Sequence, residues 1–588
     1  MRDKILAGAL FACSLLAASA ARAGGLEYTG QGAQSLGRGG AVAARADDPM
    51  VLAHNPAGLA ELRGSQFLLN LNVALFDACV QPSGFYGWGT YLGGKESRIP
   101  DPDGGPAAQI PLSVIDRTVM PSVAAAQAYY DDPFDEVCLD QRVTPIPQIA
   151  WTRRLSEDLG IGIGLIFPAA TPNGRWGGKF GVIRGDTGEL RPAPTRYMML
   201  DSNNLGIFPN VGIGYRIFEA LRVGLSLEWG IIGVNAYTVA AAVGGNIPAN
   251  DVVAHVKAQD WFVPGFTASF HLVPVDSIDI VAAFRYQDDI NAKGDIDLTS
   301  GVFDPALSPH TTDHIPITSL KQALPWKLRA GIRYSSRFAP RPVGTGRWEA
   351  DASSPDRVHD PLQDERWDLE LDIEYQMTDR NDAQRLVYEQ QQIEFKDAMT
   401  GAISMTDAPP GTTIQKRWQN QLVGRLGGTY TVMPGYFGVS AGVHHETRGL
   451  DPDYMQIDFW PLTRTGVHGG VILRVAKQID FVFSYAHIFQ ETLVIAPPPH
   501  KDRAMIDADI TASGGAPLNM DKTVGALLDR AGRGQVVREE SKLESPDGVA
   551  RVGQVITRSA AGQPPTIINA GTYSSNFDVF SAGVNVHF

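Results

Sequence analysis

Two rows of charge at a spacing of two residues are where this chain first shows side chains with chemistry in them. Lys327, Arg329 and Arg333 alternate with Trp326, Leu328, Ala330, Ile332 and Tyr334. Asp368, Glu370, Asp372 and Glu374 alternate with Trp367, Leu369, Leu371, Ile373 and Tyr375. A period of two belongs to an extended strand, so each stretch has one charged face and one apolar face. If the two strands are neighbours, cations stand opposite carboxylates on one side of a sheet, which is favourable. Such rows could lead a charged head group along a passage. Alternatively they pair with each other and brace the wall that carries them. The second role is favoured, because polar groups kept from bulk water need partners.

Other chemistry is sparse. The chain has no G-x-S-x-G, no H-E-x-x-H and no Walker loop, and His444-His445 sits in an alternating stretch that sends the two rings to opposite faces. No enzyme activity, metal or cofactor is expected. Asp288, Asp289, Asp295 and Asp297 are spaced so that they could invite Ca²⁺, but they do not make an EF-hand and read as solvated loop acids, as do Asp131, Asp132, Asp135 and Glu136. Phe134, Met198, Met199 and Phe459 are apolar side chains in expected external loops, where a hydrophobic solute would first land.

The charged rows need elements to hold them, and the leader says where those elements fold. Arg2 and Lys4 precede the apolar run Ile5–Ala20, and Ala21-Arg22-Ala23 is an A-x-A cleavage site, so residues 1–23 read as a signal peptide. Cys13 leaves with it. Cys79 and Cys138 then stand in an oxidising compartment, where a disulfide closing one long loop is expected over two idle thiols. A formal net charge of −14 without a long basic stripe gives no support to a nucleic-acid partner. No segment after the leader is a good membrane helix; the uncharged Trp229–Asn250 is interrupted by Asn235, Gly244, Gly245, Asn246 and Pro248. An exported acidic chain full of long half-apolar strands points to a transmembrane β-barrel, polar inside and apolar towards lipid.

Fourteen strands can be read, beginning with Ser65–Phe76 and ending with Phe577–Phe588. The third, Leu159–Phe167, alternates Ile161, Ile163 and Leu165 with Gly160, Gly162 and Gly164, a glycine row that either lets something approach the backbone closely or is merely tolerated. Short turns alternate with longer connections, as periplasmic and external sides of a bacterial barrel require. The extremes are the external loops at about 77–144 and 491–576. One connection, Ser336–Arg366, is long yet nominally periplasmic, which leaves room for a missed strand pair. The chain stops on Phe588, at the end of an alternating strand with no tail to thread, so it can close against the first strand.

Gly24–Gly64 is different: glycine pairs, alanine runs and turn residues, with Asp47-Asp48-Pro49 able to start a short helix and Asn55-Pro56-Ala57-Gly58 a tight turn. Its stretch SLGRGGAVAARADDPMVLAHNPAGLAEL, Ser35–Leu62, resembles the amino-terminal hatch of the FadL/OMPP1/TodX family of outer-membrane hydrophobic-compound transporters. That resemblance implies a 14-stranded barrel over residues 65–588, closed by a hatch over residues 24–64. Asn55, Pro56, Ala57 and Gly58 would then keep the channel shut or shape the route past the hatch. It also implies passive uptake of a hydrophobic solute, most plausibly a long-chain fatty acid, with lateral exit near the third strand. The terminal strand resembles the signal read by barrel-assembly machinery. A monomer in the Gram-negative outer membrane, in contact with its lipid, is expected. The alternative is a structural or adhesive outer-membrane barrel that acts through its external loops.

Overall fold

In the computed structural model the alternating stretches form one closed sheet. The structure describes residues 31–62, 64–83, 98–99, 108–109, 134–140, 143–166, 174–179, 181–184, 190–241, 251–300, 312–338, 360–389, 391–396, 403–407, 411–495, 539–544, 550–555 and 569–588. The expected signal peptide, and residues 24–30 of the expected hatch, lie outside them. Fourteen antiparallel strands make the barrel: β1 (Ser65–Pro82), β2 (Val143–Arg154), β3 (Leu159–Ile166), β4 (Leu205–Phe218), β5 (Leu221–Ala241), β6 (Asp251–Val275) and β7 (Ile278–Gln287), then β8 (Trp326–Arg337), β9 (Glu365–Met377), β10 (Gln421–Met433), β11 (Phe437–Glu446), β12 (Arg464–Ala476), β13 (Ile479–Gln490) and β14 (Gly571–His587). β1 closes on β14 from Gln66↔His587 to Pro82↔Gly571. Closure removes the edge that a sheet cannot expose to lipid.

The barrel is inside out relative to a water-soluble fold. On β9, Leu369 and Ile373 are 48% and 50% exposed, whereas Glu370 and Asp372 are 0% exposed. Only a surface covered by hydrocarbon makes that assignment favourable, since each apolar side chain left in water forgoes about 1.5–3 kcal/mol. Aromatic side chains mark the interfaces. Trp326 begins β8 and Tyr334 follows eight residues later. That spacing is about 27 Å of strand, or roughly 20 Å of depth at a tilt of about 40°. No described helix is long and apolar enough to cross a membrane; the crossing is made by strands.

The lumen has two storeys. On β1 the inward row changes from Gln66, Asn70 and Asn72 to Ala74, Phe76, Ala78 and Val80, all buried. On β14 it changes, from the opposite end, from His587, Asn585 and Ser581 to Val579 and Phe577. The expectation of a polar interior therefore holds for the half nearest Ser65 and Phe588 and fails for the other, where the inner faces pack as in any apolar core.

Several strands are longer than their patterns suggested. β1 runs on to Pro82 and β2 starts at Val143, so the external loop between them is shorter than 77–144. Above the membrane, the upper parts of β5 and β6 continue into the hairpin Ile290–Ser300/Thr312–Gln322 and then into Ala383–Tyr388 and Gly411–Gln415. These strands were hidden because their inward side chains, such as Ala258, Ala292 and Ile317, face a core while their outward ones face water, reversing the membrane pattern.

No barrel strand lies between β8 and β9, which pair directly from Trp326↔Met377 to Arg337↔Glu365, so the long connection between them inserts no strand pair there. Its described end, Asp360 and the short helix Pro361–Asp364, lies as a strap against the barrel base. The Asp360 carboxylate accepts from Arg474 Nη1 at 2.6 Å and Nη2 at 3.0 Å. Leu362 is buried with Ala33, Ile472 and Val482, and its carbonyl accepts from the Gly435 N–H at 2.8 Å.

Candidate functional site

Residues 31–62 fill the polar storey. They fold into α1 (Ala33–Gly37), α2 (Val51–His54) and a 3₁₀ turn, Pro56–Ala60, joined by buried chain. No hatch side chain caps α1 or α2, so such short helices depend on the surrounding wall.

The wall at β8–β10 holds this segment by charge. Lys327, Arg333, Asp368, Glu370, Asp372 and Glu374 are buried in the lumen and Arg329 is half-buried there. Arg329 stands opposite Glu374 in the strand register and donates to it at 2.6 Å. Arg333 reaches Asp368 at 2.8 Å and Asp279 at 3.2 Å, and also pairs with Glu365. The rows thus do pair with each other. Half of the carboxylate row, Asp368 and Glu370, also serves residues that sequence reasoning did not single out: Arg38 and Arg45. Arg38 donates to both Asp368 oxygens at 2.8 and 2.7 Å and lies 3.3 Å from Glu370. Arg45 donates to Asp368 at 3.0 Å. Three consecutive backbone N–H groups complete the clasp, Val42 and Ala43 on Asp372 Oδ2 at 3.2 and 3.1 Å and Ala44 on Glu370 Oε1 at 2.6 Å. Unmatched carboxylates on β9 were the available signal that a third element brings cations.

The opposite wall, β3–β5, holds the same segment by shape. A side chain on Gly160 would collide with the Leu59 carbonyl oxygen, and one on Gly224 with the Pro56–Ala57 peptide. At Gly214 it would come within 2.6 Å of the Pro56 oxygen, and at Gly162 and Gly164 within 3.0 Å of Leu59 and Leu52. The glycine row is there because the hatch backbone lies on it. Asn55 donates through Nδ2 to the Ala43 carbonyl at 3.0 Å and stands 3.3 Å from His271. The Ala57 N–H donates to Ser269 Oγ at 2.8 Å, and the Gly58 N–H to the Asn55 carbonyl at 2.8 Å. Glu61 pairs with Arg222 at the same wall. Asn55, Pro56, Ala57 and Gly58 are therefore the seam between hatch and glycine wall.

Beside the hatch lies a polar chamber lined by Arg285, Lys327, Arg329 and Arg425, against the carboxylates of Glu374 and Glu446. His54 of the hatch also borders it. Burial, and then the Arg329 guanidinium, push that imidazole down to about 3, so it adds no charge. Over this chamber stands the apolar storey, where Phe76 stacks on Phe577 at 4.3 Å and Trp176 on Trp460 at 5.8 Å. Phe459 belongs to that core, Met198 and Met199 pack against it, and Phe134 is buried. Phe134 and Phe459 are thus buried rather than exposed to an arriving solute, while Met198 and Met199 are only partly covered.

Cys79 and Cys138 are directly opposite in strand register and joined by a disulfide. Among the acids read as solvated, Asp295 and Asp297 flank His314 at 3.1 and 2.7 Å and Asp289 meets Arg380 at 2.9 Å, so they have protein cations as partners. Asp135 and Glu136 precede the disulfide, and Asp131 and Asp132 lie outside the described residues.

No protein-family model matches the chain, and no curated protein matches it in sequence. Solved structures do. A FadL homologue of Pseudomonas aeruginosa is 13% identical, with 96% of this chain and 100% of that one covered and a TM-score of 0.58. The P. putida toluene transporter TodX is 13% identical over 95% of this chain and 99% of that one, with a TM-score of 0.51. At such identity the likeness is one of architecture. The chain has the fold of the FadL and TodX channels, a closed fourteen-stranded antiparallel barrel, here with residues 31–62 packed inside it.

Proposed function

We propose that this protein is an outer-membrane channel for passive uptake of hydrophobic compounds, with long-chain fatty acids as the preferred solutes. The observation that carries the reading is the vertical order of the lumen: an apolar storey, then a chamber where Arg285, Lys327, Arg329 and Arg425 gather with Glu374 and Glu446, and with Glu228 2.8 Å from Arg285, beside a hatch held on both sides. A neutral hydrocarbon has use for the first compartment only. A carboxylate on an alkyl chain has use for both, its tail above and its head group among Arg285, Lys327, Arg329 and Arg425. Movement follows the solute gradient or its consumption inside the cell, since the outer membrane offers no nucleotide. Residues 1–23 direct export, barrel-assembly machinery inserts the chain, and the protein works as a monomer surrounded by outer-membrane lipid. An adhesive barrel acting through its external loops is disfavoured, because the external strands turn their apolar faces inward, onto the chamber.

Mass spectrometry of small molecules that co-purify with the folded barrel tests this. Fatty acid in near-stoichiometric amount, lost from a Lys327→Ala/Arg425→Ala variant, supports the reading. Neutral hydrocarbon retained equally by both proteins would keep the channel and discard the acid. Bulk lipid alone, in membrane proportions, would overturn the channel reading.

A further inference from the structure

The loop between β11 and β12 is unlike an external loop in composition. Within it Leu450, Met455, Ile457, Phe459, Trp460 and Leu462 are all buried in the core of the apolar storey. Trp460 sits at the centre. Its ring lies 5.8 Å from Phe76, 5.8 Å from Trp176 and 5.7 Å from Tyr573, three side chains from separate parts of the chain. Polar groups fasten the loop through its middle as well as near its ends. Lys416 donates to Gln456 at 2.8 Å and pairs with Asp458, the Gly449 N–H donates to the Pro461 carbonyl at 2.9 Å, and Gln490 donates to the Trp460 carbonyl at 2.7 Å. The loop is therefore a polar-anchored backbone that lowers apolar side chains into the barrel mouth.

We propose that this loop is a resident competitor: Trp460 and its neighbours occupy the volume that an incoming solute takes, and a solute opens the mouth by replacing their contacts. The inference rests on the reading of the protein as a channel for hydrophobic compounds and adds the device that selects them. An apolar solute that displaces Trp460 exchanges one set of dispersion contacts for another and leaves Phe76, Trp176 and Tyr573 covered. A polar solute of the same size leaves those rings without apolar partners and its own polar groups without hydrogen bonds. Discrimination thus arises at the mouth, before any solute meets the charged chamber. Trp460 in this account is a specificity-determining residue that works against binding.

That last property sets the sign of the test. Full-length protein in lipid nanodiscs is titrated with cis-parinaric acid, whose fluorescence rises in an apolar site. If the displaced conformation is a minor one, removing the competitor raises apparent affinity by the inverse of its population, so Trp460→Ala binds about tenfold or more tightly than the unmodified chain. A second variant replaces residues 450–462 by a short Gly/Ser linker, which the direct pairing of Glu446 with Arg464 lets span the gap. It shows the same tightening, and Trp460→Phe an intermediate one. Weaker or unchanged binding by both truncated variants, with the heat-resistant barrel band intact on gels, would overturn the proposal: Trp460 would be part of the solute's own pocket. No saturable binding by any form, the unmodified chain included, would instead count against the channel reading on which the proposal stands.

Discussion

The two walls that hold the hatch combine charge and close approach in opposite proportion, although on β10 too a side chain at Gly427 would collide with the Arg38 carbonyl. At β8–β10, three arginines converge on Asp368, and neighbouring carboxylates accept backbone N–H groups from Val42 to Ala44. At β3–β5, side chains are removed so that backbone lies on backbone. The charged wall is directional: it accepts one register of the hatch, because buried charge tolerates no mismatch. The glycine wall is steric: it sets how closely the hatch fits and offers few polar attachments, Arg222 among them, with Ser269 of the adjoining β6 adding another. A plug held this way is bolted on one side and bedded on the other.

The largest effect expected from breaking this arrangement is on the bolted side. Asp368→Ala leaves Arg38, Arg45 and Arg333 buried with a shared partner gone, a loss of about 3–5 kcal/mol for an uncompensated buried charge. Thermal unfolding of the barrel band on gels reads it, and Asp368→Asn loses less because hydrogen bonding survives. On the bedded side, Gly224→Ala forces a methyl group against the Pro56–Ala57 peptide, at a cost of about 1–3 kcal/mol for overpacking. Its signature is a rise in small-ion conductance across planar bilayers as the seam parts. Gly424→Ala, where an added methyl meets nothing within 4 Å, leaves conductance unchanged. Equal conductance from Asp368→Ala and Gly224→Ala would erase the distinction between the walls. Smaller again is Ser269→Ala, which strands the buried Ala57 N–H and costs about 1–2 kcal/mol by the same unfolding measurement.

The smallest effect belongs to neither wall and serves as their control. Outside the membrane, the hydrogen bond to Asp297 and the charge of Asp295 raise the His314 imidazole above the ordinary value of about 6.5. The hydrogen bond from His314 in turn lowers Asp297. A raised histidine contributes its clasp fully below the ordinary value and loses it as pH climbs through the raised one. The protection of the hairpin Ile290–Ser300/Thr312–Gln322 against hydrogen exchange, corrected for the intrinsic rise of exchange with pH, should therefore fall across that window, and His314→Ala should remove the step. Conductance should stay flat throughout, since this hairpin pairs with Val252–Gln259 of β6, away from Ser269 and His271 where that strand meets the hatch.

Much of the barrel was legible because lipid imposes a simple alternation. Trp367–Met377 could be read as a strand, and its partner predicted, from period and charge alone. The turn at Asn55–Gly58 was legible from residue type. What stayed hidden depended on contacts between distant parts of the chain. Arg38 and Arg45 sit in a segment with no periodicity, and nothing local says that their partners lie on β9. The glycine row on β3 announced a close approach without saying what approaches. The external strands were missed where burial reverses above the bilayer, so that Ala254, Val256 and Ala258 look like an ordinary soluble edge. Leu450–Leu462 passed as a loop because its apolar residues follow no strand or helix period.

The reach of the hatch contacts has a consequence for the order of folding. Arg38 meets Asp368 330 positions later, and the Ala33 carbonyl accepts from Ser484 451 positions later. The earliest segment of the described chain is thus among the last to find its partners, and contacts of such long range are slow to form. The β9 carboxylates, for their part, cannot leave water alone. Docking of the hatch and closure of β1 on β14 must then be nearly one event, with the amino-terminal segment waiting inside an unclosed sheet until its counter-charges arrive.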